Sequence, residues 1–213
     1  RRTAPRNCTV HSLAKTGISR DARFAFPAPL ENAPELPSRV VLTGSAGFVG
    51  SALAARLRDP ARLHMAKASW REAIAATDFR GATVIHLAAR VHEPRGREED
   101  FERDNVEKTA VLAEAAVEGG ASRFVFASTV KVHGEETRGV PFRPDSPPAP
   151  ADAYARSKWR AEDRLDEIST RTGLHVAVVR MPLVYGPGAG GNFASRLRLA
   201  DSGAWLPLAA IRN

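Results

Sequence analysis

The stretch VVLTGSAGFVG, residues 40–50, decides how this chain is read. Gly44, Gly47 and Gly50 follow a short apolar run and lead into Val49, Leu53 and Leu57, which recur every four residues. Glycine clusters are most often plain turns. Between a strand and a helix, however, such a loop lets backbone approach an anion closely, with N–H groups aimed over the helix start. A pyrophosphate suits that place, so residues 43–50 are a candidate dinucleotide loop.

Outward from the loop the chain alternates. Residues 39–43, 82–87, 123–128 and 175–180 are continuous apolar runs, as expected for strands buried on both faces of a parallel sheet. Between them lie helical stripes. Val106, Ala110, Ala113 and Val117 form one, stopped by Gly119 and Gly120. Tyr154, Lys158, Ala161, Leu165 and Ile168 form another. The alternation predicts a doubly wound, Rossmann-like α/β parallel sheet. Five prolines in residues 141–150 predict a loop, and there is no internal repeat.

Composition narrows the class. The 213 residues can bury a real core, and the apolar and charged fractions are those of a soluble globular protein. No apolar run approaches the roughly 18 residues of a membrane span. The net charge of +7 suggests nucleic acid only until it is placed. Residues 1–39 hold seven Lys/Arg against three acids, a surplus of +4, which leaves +3 for the other 174 residues. No basic patch with interleaved aromatics is visible, so nucleic acid is not an expected partner. Cys8 is the only cysteine, which excludes an intrachain disulfide and a cysteine-based metal site, and no metal is expected. A reducing compartment, the cytoplasm, is the expected location.

Residues 1–38 show no sustained period and carry Pro5, Pro27, Pro29, Pro34 and Pro37, which predicts a disordered leader. Its first 20 residues contain Arg but no acid, resembling a mitochondrial transit segment. The plainer reading is a poorly ordered extension, or translated sequence upstream of the true start. Residues 39–213 are then the dinucleotide-binding domain, with the start of a substrate-binding part from about 186.

Two further motifs carry chemistry. Tyr154 and Lys158 stand one helical turn apart, so they share a face. A cation beside a phenol favours the phenolate and lowers its pKa from roughly 10, making tyrosine a usable acid/base near neutrality. The bland alternative is a half-buried tyrosine beside a surface lysine. Ser128 and Thr129 sit at the carboxyl end of the run 123–128, where ligands of open α/β sheets bind. A hydroxyl there can donate to a substrate oxygen, although polar strand ends are common.

Taken in order, TGSAGFVG, HLAARVH (86–92), DNVEKT (104–109), FVFASTVKVHGE (124–135), YARSK (154–158) and RMPLVYGPG (180–188) resemble the extended short-chain dehydrogenase/reductase family. More narrowly, they resemble the NAD-dependent epimerase/dehydratase group that works on nucleotide sugars. HLAARVH, PLVYGPG and LPLAAIRN (206–213) are most similar to bacterial UDP-hexose 4-epimerases and 4-ketoreductases.

The resemblance implies roles. Gly44, Gly47 and Gly50, with Phe48 and Val49, would lie over the pyrophosphate of NAD or NADP. Leu87, Ala88 and Ala89 would lie under the adenine-side ribose and pyrophosphate, and Asn105 would brace the sheet beside the cofactor. Thr129 would be the catalytic hydroxyl with Ser128 its neighbour. Tyr154 would be the acid/base, and Lys158 would bind the nicotinamide ribose and depress the tyrosine pKa. Pro182 and Val184 would flank the nicotinamide. Asn192, Leu206 and Leu208 would hold the diphosphate and uracil of a UDP-hexose. A homodimer through two helices per subunit is the family habit; residues 110–117 and 154–168 are the candidates, although each reads equally well as core.

Three features depart from the pattern. Residues 57–84 are short: the one strand candidate, 63–66, is followed by Lys67 instead of the acid that holds the ribose hydroxyls. Against the family pattern, most of the C-terminal substrate domain is expected to lie beyond residue 213. Lys108 replaces a usual glycine, with local repacking expected. The expected activity is NAD(P)-dependent epimerisation or reduction at a sugar C4. The alternative is a truncated, non-catalytic dinucleotide-binding remnant.

Overall fold

The computed structural model describes residues 37–66, 68–91, 96–137 and 139–186. Strands β1 (Val40–Thr43), β2 (Ala61–Leu63), β3 (Thr83–His86), β4 (Arg123–Thr129) and β5 (His175–Met181) form one sheet in the order β2-β1-β3-β4-β5. Every neighbouring pair is parallel. Helices α1 (Phe48–Ala54), α2 (Trp70–Ala75), α3 (Glu98–Phe101), α4 (Lys108–Glu118) and α5 (Ala153–Thr172) lie between the strands. This is the doubly wound α/β sheet that the alternation predicts.

The strand order decides which face each helix covers. Parallel crossovers are right-handed. The step from β1 to β2 runs one way along the sheet, and every later step runs the other way. The first helix therefore falls on one face and the later ones on the opposite face. Ala54 of α1 and Leu57 just beyond it pack on Val40 and Leu42, with Ile85 and Leu87 alongside. On the other face Ile74 of α2, Leu112, Ala113 and Ala116 of α4, and Ala161, Leu165 and Ile168 of α5 pack on Val41, Val84, Phe124 and Phe126. The register puts Val41 beside Val84 and Val84 beside Phe124, one row across the sheet.

The second strand lies two residues earlier than expected, at Ala61–Leu63 rather than 63–66. Only Leu63 of the three is buried. An edge strand paired on one side only, through Ala61, Arg62 and Leu63, leaves no apolar run to read. Lys67 lies outside the described residues, as do residues 1–36 of the expected leader and Asn192, Leu206 and Leu208.

The helix before β4 also differs in detail. A π-turn segment, Glu102–Glu107, joins α3 to α4. Its wider turn rotates the buried face, which runs through Asn105, Val106, Thr109, Leu112, Ala113 and Ala116. Ala110 and Val117, expected on the stripe, sit half-buried at its margin. The α5 stripe falls as expected, with Lys158 and Glu162 buried within it. Asp152 caps α5 through Oδ1, which accepts from Ala155 N at 2.6 Å, and Gly173 closes it in the left-handed region at φ 77°. Both helices considered for a dimer face bury Leu112, Ala113, Ala116, Ala161, Leu165 and Ile168 in the protein's own core. Among the described residues no helix is long and apolar enough to cross a membrane, and no cluster of His, Cys, Asp or Glu is arranged to hold a metal.

Candidate functional site

In a sheet of this order the chain reverses direction between β1 and β3, and the carboxyl ends of those strands flank a crevice. Thr43 and His86 are the paired last residues of the two strands. The loops that follow, 44–47 and 87–91, meet closely. Gly44 has φ 71°, and a Cβ there would stand 2.7 Å from Ala88 N. A Cβ on Gly50 would stand 2.0 Å from Gly44 O. Neither position has room for a side chain, so the first turn of α1 packs backbone to backbone against the loop.

A chain of hydrogen bonds fixes this junction. Thr109 Oγ1 donates to Asn105 O at 2.7 Å, so it accepts from His86 Nε2 at 2.9 Å. His86 Nδ1 then accepts from Thr43 Oγ1 at 2.6 Å, and Thr43 Oγ1 accepts from Ala88 N at 3.1 Å. The direction assigns the His86 proton to Nε2. Burial, with the Lys158 charge second, pushes His86 down to about 3, so the imidazole is neutral. Asn105 supports the same loop: Oδ1 accepts from Arg90 N at 2.7 Å, while Nδ2 donates to Arg90 O and to Ser157 Oγ, both at 2.9 Å. The bracing expected of Asn105 is therefore made on the 87–91 loop and α5.

The crevice opens into a cleft of about 960 Å³. Of the expected cofactor residues, Gly44, Gly47, Phe48, Val49, Gly50, Leu87, Ala88, Ala89, Ser128, Tyr154 and Lys158 line it. Asn105 lies behind the wall. Thr129, Pro182 and Val184 are not among the lining residues. Thr129 ends β4, where its Oγ1 accepts from Lys131 N at 3.3 Å, and Pro182 and Val184 are exposed beyond β5. The Ser128 hydroxyl donates to the buried Glu162 carboxylate, which Arg180 of β5 grips through Nε at 3.1 Å and Nη2 at 2.6 Å.

The electrostatics correct one expectation. Lys158 does not emerge as the cation that lowers the Tyr154 pKa. Burial holds the Tyr154 phenol above its usual value; Asp152 adds to this and Lys131 opposes it. Lys158 is itself pushed down to about 7 by burial, with Glu162 opposing. Its Nζ lies 3.8 Å from the centre of the Phe126 ring. The reason is common to both groups: burial penalises phenolate and ammonium alike.

At the far end Met65, Ala66 and Trp70 face the cleft. Lys108 reaches across to donate to Met65 O at 3.1 Å, and it pairs with Asp104 at 2.9 Å. Its effect is therefore not the purely local repacking expected: it ties the start of α4 to the loop after β2. No acid occurs from Ala61 to Arg71.

Several supporting residues carry little sequence signal. His86 in a strand reads as ordinary core, and Glu162 and Arg180, 18 positions apart, have no local pattern. Asp152 is the exception, since an Asp before a helical stripe is a cap signal.

A family model described as NAD dependent epimerase/dehydratase matches residues 40–200. The chain is 34% identical over 201 residues to a UDP-glucose 4-epimerase of Vibrio cholerae, covering 83% of this chain and 61% of that protein. Among solved structures it is similar to DesIV, a dTDP-glucose 4,6-dehydratase from Streptomyces venezuelae with NAD and TYD bound. The TM-score is 0.68 at 25% identity, over 80% of this chain and 64% of that one. It is also similar to RMD from Pseudomonas aeruginosa complexed with NADPH, with a TM-score of 0.66 at 25% identity over 79% and 64%. The chain thus spans less than two thirds of the length of these proteins.

Proposed function

This chain belongs to the NAD dependent epimerase/dehydratase family, and from that premise we propose that it binds NAD or NADP in the cleft and acts on the C4 of a nucleotide sugar, a UDP-hexose, as a 4-epimerase or 4-ketoreductase. The observation that carries the reading is the convergence of the glycine loop, residues 87–89, Tyr154 and Lys158 on one cleft at the carboxyl ends of parallel strands.

The residues present fit such a cofactor. Gly44 and Gly50 leave backbone bare where a pyrophosphate needs close approach. Phe48 and Val49 begin α1 beside it, and Leu87, Ala88 and Ala89 form the opposite wall. Lys158 would hold the nicotinamide ribose, with Ser128 beside it; Pro182 and Val184 would close the nicotinamide side in the bound state. A bound nicotinamide supplies the hydride acceptor or donor.

The chain's own part is proton transfer and orientation. Tyr154, protonated at neutral pH, gives its proton to a C4 oxygen when the sugar is reduced. In the oxidising direction it takes the proton, a role helped by any cation drawn towards the phenol. Thr129, which does not line the cleft without substrate, would hold the C4 oxygen, and Asn192, Leu206 and Leu208 would contact the nucleotide. A homodimer belongs to this reading and would show as a doubled mass in light scattering.

The test is thermal unfolding with NAD, NADH, NADP or NADPH. Ligand at about 100 times its dissociation constant stabilises by about 2.7 kcal/mol. Absence of any shift with all four sinks the reading. A second reading, a dinucleotide-binding chain without turnover, draws on the single short edge strand between α1 and α2. It predicts the shift, but no conversion of UDP-glucose or UDP-galactose.

A further inference from the structure

Lys131 reaches both candidate catalytic elements. It lies in the 3₁₀ turn Val130–His133 that follows β4. Its backbone N–H donates to Thr129 Oγ1 at 3.3 Å. Its Nζ donates to Asp152 Oδ2 at 2.6 Å and pairs with Glu135 at 3.0 Å. Asp152 is the cap of α5, two residues before Tyr154. The backbone of Lys131 thus holds the end of β4, and its side chain reaches the start of the helix that carries the phenol.

Other charges nearby are otherwise engaged. Glu98 of α3 pairs with Arg156 at 3.4 Å. Asp104 of the π-turn segment is held by Arg90, Arg103 and Lys108. Lys158, one turn along α5, lies against Phe126.

We propose that Lys131 is a positioning residue for proton transfer at Tyr154: its ammonium pairs with Asp152, two residues before the phenol, and ties the first turn of α5 to the turn that follows β4. The proposal rests on the reading of Tyr154 as the acid/base. Asp152 is the acid that disfavours the phenolate, and Lys131 is the cation that opposes it. Loss of the ammonium removes one positive partner of the carboxylate and the charge that opposes it at the phenol, both in the same direction. A guanidinium in its place keeps the charge. Asparagine in place of Asp152 keeps the helix cap and removes the negative charge.

The sequence supplies a direct readout, because Tyr154 and Tyr185 are its only tyrosines. In a Tyr185→Phe background, phenolate absorbance during an alkaline titration reports Tyr154 alone, with neither cofactor nor substrate present. Circular dichroism at each pH confirms that the chain is folded. Lys131→Met should move the midpoint up, Lys131→Arg should leave it near the parent, and Asp152→Asn should move it down. Asp152→Asn combined with Lys131→Met should bring it back towards the parent. An unmoved midpoint in Lys131→Met overturns the proposal, as does a larger upward move in Lys158→Met. Should Lys131→Met fail to fold, Asp152→Asn decides: a midpoint equal to the parent's overturns it. The cofactor shift of the preceding test is read separately, so the two failures are distinct.

Discussion

Lys158 Nζ stands 3.8 Å from the centre of the Phe126 ring, and its residue is 2% exposed. The cation faces an aromatic ring of the sheet from within the apolar stripe of α5. Cation–π attraction offsets part of the desolvation, but the ammonium is still pushed down to about 7.

This burial has a signed consequence for stability. An unfolded lysine titrates near 10.4. Between about 7 and about 10.4 the unfolded chain binds more protons than the folded one, so the Lys158 contribution rises with pH across that window. Below 7 the full cost of the buried charge remains. Lys158→Met should therefore gain most over the native chain at pH 6, with the gap narrowing by pH 9. Urea unfolding at the two pH values checks this, and a gap independent of pH would refute it.

The glycine loop separates close packing from backbone conformation. Gly44 and Gly120 both lie in the left-handed region, at φ 71° and 74°. A Cβ on Gly120 meets nothing within 4 Å, whereas one on Gly44 meets Ala88 N at 2.7 Å. Gly120→Ala should cost about 1–2 kcal/mol, the ordinary left-handed penalty. Gly44→Ala should cost that plus about 1–3 kcal/mol of overpacking, and it should weaken the thermal shift with cofactor. Equal losses in the two variants would show that the loop yields freely.

The buried ion pair predicts non-additivity. Glu162 is 5% exposed and accepts from Arg180 and Ser128. Arg180→Met strands the carboxylate and should cost about 3–5 kcal/mol. Adding Glu162→Gln removes the stranded charge while leaving an acceptor for Ser128, so the double variant should be more stable than Arg180→Met alone. A double variant as unstable as the sum of the singles would mean that the pair does not act as a unit.

The strands were legible where burial on both faces writes a continuous apolar run, as at Val40, Val41 and Leu42. Ala61–Leu63 was not, because an edge strand with one buried residue leaves no such run. The α5 stripe was legible because it is a local pattern. The shifted face of α4 was not, since the π-turn segment before it breaks the 3.6-residue period.

The sequence alone determined the alternation of elements, the glycine loop between β1 and α1, and the spacing of Tyr154 and Lys158. Each is written within one turn or one strand, at the range where propensity and periodicity act. Only the tertiary structure decided the electrostatics. That Lys158 is buried against Phe126, that Lys131 pairs with Asp152, and that His86 is a neutral link between Thr43 and Thr109 all depend on contacts across 21 to 43 residues of chain. Burial and charge partners belong to the folded surface rather than to neighbours along the chain, and they set how the same tyrosine and lysine behave.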